Sequence, residues 1–420
     1  MNVAAGSRQN PNAGSVKRLL TAKGLRAFAD GFISLLLPLY LLELGLSALQ
    51  VGIIATATLL GSGVLTLMVG LHAYRFRYRS LLLAATLLMA ATGVGFVVVN
   101  DFWPLLVIAI VGTLNPSSGD VSVFLPLEHA VLSHVVPDRD RTAVFARYSL
   151  VGSLMAAIGS LAVALPGALQ TTFVLSGKSA MQAMFLLYAG LACLAALAYR
   201  GLPASLESDT PTPPAPLHRS RKTVYLLAAL FSLDAFGGGF VVQSMVALWL
   251  FQKFELSIAT AGQIFFWTGL LTAGSYLVAV RIANRFGLVN TMVFTHLPAN
   301  LCLIAIPFVP DLSIVIALLF IRAALSQMDV PTRSSYVMAI VAPDERAAAA
   351  SITSVPRSLA SAVGPAMAGY LLGISAFGWP LVVAGAVKIV YDLLLLAMFS
   401  KVKPPEESPE QPADDYRPKA

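Results

Sequence analysis

Long apolar stretches alternate with short polar ones over almost the whole chain. Twelve of these stretches are long enough to cross a bilayer as α-helices, and they lack the period-two alternation of a membrane β-barrel. We number them segments 1 to 12, and they cover residues 22–45, 49–71, 79–99, 103–126, 143–166, 179–199, 223–251, 257–280, 288–308, 312–338, 347–372 and 377–399. The pattern therefore predicts an all-α, polytopic membrane protein.

One polar, proline-rich run, Arg200 to Lys222, separates segment 6 from segment 7. Its prolines and clustered charges cannot form a helix in lipid, so we expect an aqueous linker between two six-helix bundles. The expected division is a disordered tail at 1–20, a bundle at 21–200, the linker at 201–221, a bundle at 222–400 and a disordered tail at 401–420.

Composition supports a membrane protein, because 57% of the residues are hydrophobic and only 12% are charged. Soluble domains carry about a quarter of charged residues. The net charge of +7 could indicate nucleic-acid binding, but the cations lie in short loops between apolar segments. Cys193 and Cys302 both lie within apolar segments, which predicts neither a disulfide nor a metal site. We expect no cofactor and no nucleic-acid partner.

Lysine and arginine concentrate in one set of loops, which predicts the cytoplasmic side of the membrane. These residues are Arg75, Arg77, Arg79, Arg139, Arg141, Arg281, Arg285 and Arg346, with Lys17, Arg18, Lys23 and Arg26 near the start and Lys401 and Lys403 near the end. The opposite loops hold little more than Lys178 and Lys253. Both termini are therefore expected in the cytoplasm, with the chain in the cell membrane, which is the inner membrane if the source is bacterial.

The two halves of the chain also resemble each other. Leu46-Ser47 recurs as Leu256-Ser257, and Glu128 falls beside Arg333 when the halves are aligned. Parallel six-helix repeats joined by a long linker are an architecture of alternating-access transporters.

With this repeat, the chain resembles the major facilitator superfamily over nearly its whole length. The family's loop motif Gly-x-x-x-Asp-(Arg/Lys)-x-Gly-(Arg/Lys) is matched at Gly70 and Arg75, with Tyr74 in place of the acid. The equivalent loop of the second half matches at Arg285, with Asn284 in place of the acid. The resemblance implies two six-helix repeats around a central cavity, transport by alternating access, and no enzymatic activity.

Charged residues at bilayer depth are costly, so each is a functional candidate. The candidates for substrate binding or proton coupling are Asp30, Asp120, Asp234, Gln243, Arg322, Asp329 and Arg357. We expect Asp234 and Asp30 to exchange protons, since a carboxylate in a cavity can gain and lose one as hydration changes. The run Gly237 to Gly239 is expected to break segment 7 near mid-membrane.

Segment 10 carries Arg322, Ser326, Asp329 and Arg333 at a spacing that predicts one shared helix face. Arg322 and Arg357 are expected to contact an anionic substrate or to hold the acids. A static ion-pair network between segments 4, 10 and 11 is the alternative. In segment 12, Lys388 and Asp392 stand at i and i+4, and mutual neutralisation is expected. Glu128 and His129, just after segment 4, do not converge with Asp120 at the spacing of a metal site.

Glu128 and Arg333 occupy equivalent places with opposite charges. We expect them to form a gate pair when the protein opens outward. The alternative is local pairing, of Glu128 with Arg139 or Arg141 and of Arg333 with Asp329.

The sequence predicts a secondary active transporter of a small, polar or charged organic solute, coupled to protons and acting as a monomer in the lipid bilayer. A multidrug-type proton antiporter is one alternative, and an intramembrane enzyme or receptor is another. An enzyme would need a convergent nucleophile or metal set, and the sequence contains neither these nor a phosphate-binding Gly-Lys-Ser/Thr loop.

Overall fold

A computed structural model describes residues 13–72, 76–117, 122–136, 138–203, 220–341, 345–400 and 402. Within these ranges the chain forms sixteen α-helices, one short 3-10 helix (Ile306–Phe308) and no strand. The helices are α1 Ala13–Glu43, α2 Ala48–His72, α3 Tyr78–Val98, α4 Phe102–Val111, α5 Phe124–Val135, α6 Asp138–Ala162, α7 Leu165–Phe173, α8 Gly177–Arg200, α9 Arg221–Gly239, α10 Gln243–Phe254, α11 Ile258–Phe286, α12 Leu288–Ala305, α13 Leu312–Leu325, α14 Asp329–Ile340, α15 Arg346–Ile374 and α16 Trp379–Phe399.

These helices confirm the prediction of an all-α, multi-pass membrane protein. Ten helical spans of the described ranges are long and apolar enough to cross a membrane, and α4 is a shorter apolar helix. The 29-residue α15 is less apolar than these spans and packs against α2 and α9.

Four predicted segments are each divided into two helices. Segment 5 is divided where α6 ends at Ala162 and α7 begins at Leu165. Segment 7 is divided after Gly239, as the glycine run predicts. Segment 10 is divided between Leu325 and Asp329, which the sequence analysis did not predict. Segment 4 was expected to be one helix, but α4 ends at Val111 before an Asn115-Pro116 turn. Proline lacks the backbone donor that a helix needs at this point.

The expected tails and linker lie mostly outside the described residues. Residues 1–12, 204–219 and 403–420 are not described. The first tail was expected to reach residue 20, but α1 begins at Ala13, so residues 13–20 are helical rather than disordered.

Long-range contacts define two ends of the molecule. Arg18 donates a hydrogen bond to the carbonyl of Gly201, and the backbone N–H of Ser220 donates to Glu345 Oε2 at 3.0 Å. The start of α1, the end of α8 and the starts of α9 and α15 therefore lie at one end, here called the terminal face. At the opposite end, the distal face, Trp249 Nε1 donates to the carbonyl of Ala376 at 3.2 Å.

Helices α1–α8 form a first bundle and α9–α16 a second, and the two bundles touch mainly near the distal face. There α2 crosses α15, and α6 packs against α11. Gly52 lies against Pro365 and Gly369, and Gly262 lies against Ser160. These residues stand in the distal thirds of their helices, so the bundles are held together between the cavity described below and the distal face.

Candidate functional site

A cavity of about 390 Å³ lies between the two bundles. Its walls come from α1, α6, α10, α11 and α13, with the turn before α10 and Ser117 after α4. The polar side chains that line it are Lys23, Asp30, Ser117, Ser153, Ser160, Gln243, Thr268, Thr272, Tyr276, Arg322, Ser326 and Gln327. A space between helix bundles with a few polar groups on its walls is a typical small-molecule site.

Arg322 is the charged side chain that the second bundle contributes to this cavity. It lies in the last turn of α13, beside the division between α13 and α14. Its Nε atom is buried and has no hydrogen-bond partner among the described residues. A buried guanidinium with a free donor can bind a carboxylate or phosphate, for which its planar geometry is suited.

The first bundle contains a buried ion pair between Arg26 of α1 and Glu128 of α5. The Glu128 carboxylate also accepts hydrogen bonds from Tyr148 and, at 2.6 Å, from Tyr199. Arg26 stacks over Phe124, with its guanidinium carbon 4.0 Å from the ring centroid. Arg26 and Lys23 were counted as loop cations, but both are buried within the bundle.

The second bundle contains a larger network around Asp234 of α9. Lys388 of α16 binds Asp234 Oδ1 at 2.6 Å, and Arg333 of α14 binds Asp234 Oδ2 at 3.1 Å. Arg333 also pairs with Asp329, one turn earlier in α14. All four side chains are buried, so each charge is neutralised by a direct partner, as a low-dielectric interior requires.

A histidine extends this network to α12. His296 Nδ1 lies 2.8 Å from Asp392 Oδ1, and Asn300 Nδ2 donates to Asp392 Oδ2 at 2.9 Å. The expected pairing of Lys388 with Asp392 is therefore wrong. Lys388 binds Asp234 instead, because α9 brings that carboxylate between α16 and α14.

The predicted candidates thus separate into two places. Asp30, Gln243 and Arg322 line the cavity, whereas Asp234 and Asp329 belong to the buried network. Arg322 and Arg333 were expected on one helix face, but the chain turns at residues 326–328 and sends them to different places.

Two candidates make no ion pair with any described residue. Arg357 of α15 lies near enough to Asp234 and Arg333 for its charge to interact with both of theirs. Asp120 lies outside the described residues. Within the described ranges, no three His, Cys, Asp or Glu side chains are grouped as metal ligands.

Glu128 and Arg333 are not paired with each other in this conformation. Each is bound within its own bundle, Glu128 by Arg26 and Arg333 by Asp329 and Asp234. The local alternative is thus present for Arg333, while Glu128 has partners that were not considered. The gate pair stays a prediction for an outward-open conformation, and it would require both local pairs to open.

The two bundles carry related pairs with exchanged charges. Aligning Gly31 with Gly239 sets Arg26 opposite Asp234, just as Glu128 is opposite Arg333. In the first bundle the cation is on α1 and the acid on α5, and in the second the acid is on α9 and the cation on α14. The repeat alignment contained this signal, which was missed because Arg26 was assigned to a loop.

Comparison with known proteins agrees with this architecture. The sequence model described as Major Facilitator Superfamily matches residues 19–328 and 227–419. An uncharacterized membrane protein of Saccharomyces cerevisiae is 26% identical over 419 residues, which covers 91% of this chain and 94% of the yeast protein. The uncharacterized MFS-type transporter YceJ of Bacillus subtilis is 26% identical over 150 residues, covering 36% of this chain and 38% of that protein.

Solved transporter structures share the fold. The nucleoside transporter NupG superposes with a TM-score of 0.71 at 13% identity, covering 91% of this chain and 98% of that one. The human organic anion transporter TETRAN superposes with a TM-score of 0.64 at 16% identity, covering 92% of this chain and 100% of that one. The family match extends over nearly the whole sequence, so the chain belongs to the Major Facilitator Superfamily and is a multi-pass membrane transporter rather than an enzyme.

Proposed function

We propose that this protein is a secondary active transporter that moves a small, polar or charged organic solute by alternating access, coupled to protons. The cavity between the bundles is the solute site, and the conformation described here is closed toward the distal face. We further propose that the terminal face is cytoplasmic and that the protein acts as a monomer.

The proposed class of solute depends mainly on the environment of Arg322. Its buried Nε has no partner among the described residues, and leaving a charged donor unsatisfied is costly unless a ligand binds it. Lys23 brings a second cation to the cavity and Asp30 brings one acid. This balance favours an organic anion, or a zwitterion whose cationic group faces Asp30.

The proton is proposed to bind a buried carboxylate that changes its access to water during the cycle. Asp30 is a candidate because it lines the cavity, and Asp234 is a candidate because it lies in the buried network. Intramembrane acids of this kind commonly serve as proton relays in transporters.

A thermal-shift screen of the purified protein tests the solute assignment. The panel comprises nucleosides, organic anions, dipeptides and lipophilic cations at two pH values, the first two classes being those that NupG and TETRAN transport by name. We expect stabilisation by an anionic or zwitterionic compound, lost in Arg322→Gln and kept in Arg285→Gln. Arg285 is a matched control because it lies exposed in the last turn of α11.

The alternative function has its own outcome in this screen. Stabilisation by lipophilic cations alone, equal in the parent protein and in Arg322→Gln, would contradict the anion site and support a multidrug-type antiporter.

A further inference from the structure

Among the residues that the structure describes, every large apolar side chain on the wall of the cavity comes from the second bundle. These side chains are Val241, Val242, Val246, Phe265 and Leu319. On the opposite wall, α6 presents only glycine, alanine and serine, at positions 152, 153, 156, 157 and 160. The small residues leave space in front of the apolar ones, and an apolar surface that faces a cavity is stabilised when an apolar ligand group covers it.

The apolar side chains lie on the distal side of Arg322. Leu319 is one turn nearer the distal face on the same helix, α13. Thr272 of α11 donates a hydrogen bond to the carbonyl of Ala323 at 3.4 Å, which places Thr272 at the level of Arg322. Phe265 precedes Thr272 by seven residues on α11, so it stands about 10 Å nearer the distal face. The cavity therefore has its buried cation at one level and an apolar end at another.

Phe265 belongs to the face of α11 that lines the cavity. It shares this face with Thr268 and Thr272, at positions i, i+3 and i+7 of the helix. The hydroxyl of Thr268 donates to the carbonyl of Phe265 at 3.0 Å, so the helix itself satisfies this donor. The next residue, Phe266, does not line the cavity, and its ring packs against Trp267 with the centroids 5.3 Å apart. The two neighbouring phenylalanines thus have different surroundings.

The charge of Asp30 limits what can occupy the space between Arg322 and the apolar end. Gly31, which follows Asp30, lies against the backbone of Ala156 on α6. The next residue of α6, Ala157, meets the middle of the cavity-lining face of α11. Asp30 is therefore level with the space on the distal side of Arg322, where it would repel a second anionic group of the solute.

We propose that the solute is an amphipathic organic anion, whose anionic head group binds Arg322 and whose uncharged, apolar body extends toward the distal face and lies against Phe265. This inference rests on the proposed function, since it names the class of solute that the cavity takes. The separation between Arg322 and Phe265 sets the length of the body at about 10 Å. A cavity of about 390 Å³ is large enough for such a molecule.

Head and body contribute to binding in different ways. The guanidinium of Arg322 fixes the position of the head group, because its donors match the oxygens of a carboxylate or phosphate. The apolar wall then rewards length, and each methylene group that it buries raises the affinity about fourfold. An aromatic ring at the end of the body gains a further contact with the ring of Phe265.

Calorimetric titration of the purified protein with a series of phenyl carboxylates tests the proposal. The series is benzoate, phenylacetate, phenylpropionate and phenylbutyrate, which share head and ring and differ in the spacer. We expect the parent protein to bind each longer acid about fourfold more tightly. The amide of phenylbutyrate should bind at least about tenfold more weakly than the acid, as should every acid in Arg322→Gln.

The two neighbouring phenylalanines supply the matched pair of variants. Phe265→Ala should weaken binding of phenylbutyrate about tenfold and change that of benzoate by less than about twofold, because only the longer body reaches Phe265. Phe266→Ala should keep the affinities of the whole series. Phe265→Leu retains a large apolar side chain, so it should fold as the parent does and lose only part of the preference for the longer phenyl acids.

The outcomes separate this inference from the proposed function. An unchanged preference for long acids in Phe265→Ala, or an equal loss in Phe266→Ala, would overturn the amphipathic solute. Binding of short, polar anions alone that depends on Arg322 would overturn it too, and would leave the anion site intact. If no anion binds, or if binding is the same in Arg322→Gln as in the parent protein, the proposed function itself is wrong.

Discussion

Several charges at membrane depth are bound to a specific partner on another helix. Arg26 and Glu128 join α1 to α5, and Asp234 and Arg333 join α9 to α14. Deleting one partner of a buried pair costs about 3–5 kcal/mol, because the remaining charge is left uncompensated. These pairs therefore fix helix positions within each bundle more than they add net stability.

The substitution Glu128→Gln tests this reasoning in the first bundle. We expect it to lower the free energy of unfolding by about 3–5 kcal/mol, since Arg26 would remain buried without a counter-charge. Glu43→Gln, the same change at an exposed position in the last turn of α1, should alter it by less than about 0.5 kcal/mol. Thermal unfolding in detergent measures both, and equal shifts would contradict a structural role for the pair.

The sequence located these residues better than it located their partners. Asp234, Asp329 and Arg333 are recognisable as costly charges inside apolar segments, but a partner such as Lys388 is 154 residues away from Asp234 in the chain. Local spacing instead favoured Lys388 with Asp392, which stand one turn apart. Pairing over such separations depends on helix packing, which no local pattern specifies.

At the scale of helices, glycines set how closely the bundles approach. Gly52 of α2 lies against the backbone at Pro365 and Gly369 of α15, so a side chain there would displace the crossing helix. At Gly63, further along α2, a Cβ atom added to the glycine would meet open space. Both positions are helical, so replacing either glycine has a similar effect on helix propensity. The two replacements differ in whether the new side chain meets the backbone of α15.

We therefore predict that Gly52→Val reduces the population of the distally closed conformation and that Gly63→Val does not. The measurement is the distance distribution between spin labels at Leu49 and Ile374, which should lengthen only in Gly52→Val. Identical distributions in the two variants would mean that the α2–α15 crossing does not control closure.

Helix divisions were predictable only where the residues themselves disfavour a helix. The division after Gly239 follows from three successive glycines, and the one after Val111 precedes an Asn115-Pro116 turn whose signal was overlooked. The division at residues 326–328 has neither glycine nor proline within it. However, Pro331 stands in the first turn of α14 and has no backbone N–H to continue the helix across this division, a signal that the sequence analysis overlooked.

At the scale of the whole molecule, the number and the order of the membrane segments were predictable. Hydropathy and the similarity of the two repeats are both averaged over many residues, so single unusual residues do not disturb them. The cavity was not predictable, since it depends on how the two bundles pack. The orientation of the chain in the membrane is also a property of the whole molecule. The excess of lysine and arginine in one set of loops predicts it.

Cysteine labelling tests the orientation. Single cysteines at Gly14 and at Ser208 should react with a membrane-impermeant reagent only after the cytoplasmic side is made accessible. Gly14 stands in the first turn of α1, and Ser208 belongs to the linker region outside the described residues. Reaction of either position from outside intact cells would contradict the predicted topology.

Uphill transport is the most direct test of the central claim that a cavity with Arg322 carries solute across the membrane. The measurement is uptake into proteoliposomes, under an imposed pH gradient, of the compound that stabilises the protein most in the thermal-shift screen. The account predicts accumulation by the parent protein, loss of it in Arg322→Gln and retention in Arg285→Gln. Accumulation that is equal in the parent protein and Arg322→Gln, or that ignores the pH gradient, would contradict it.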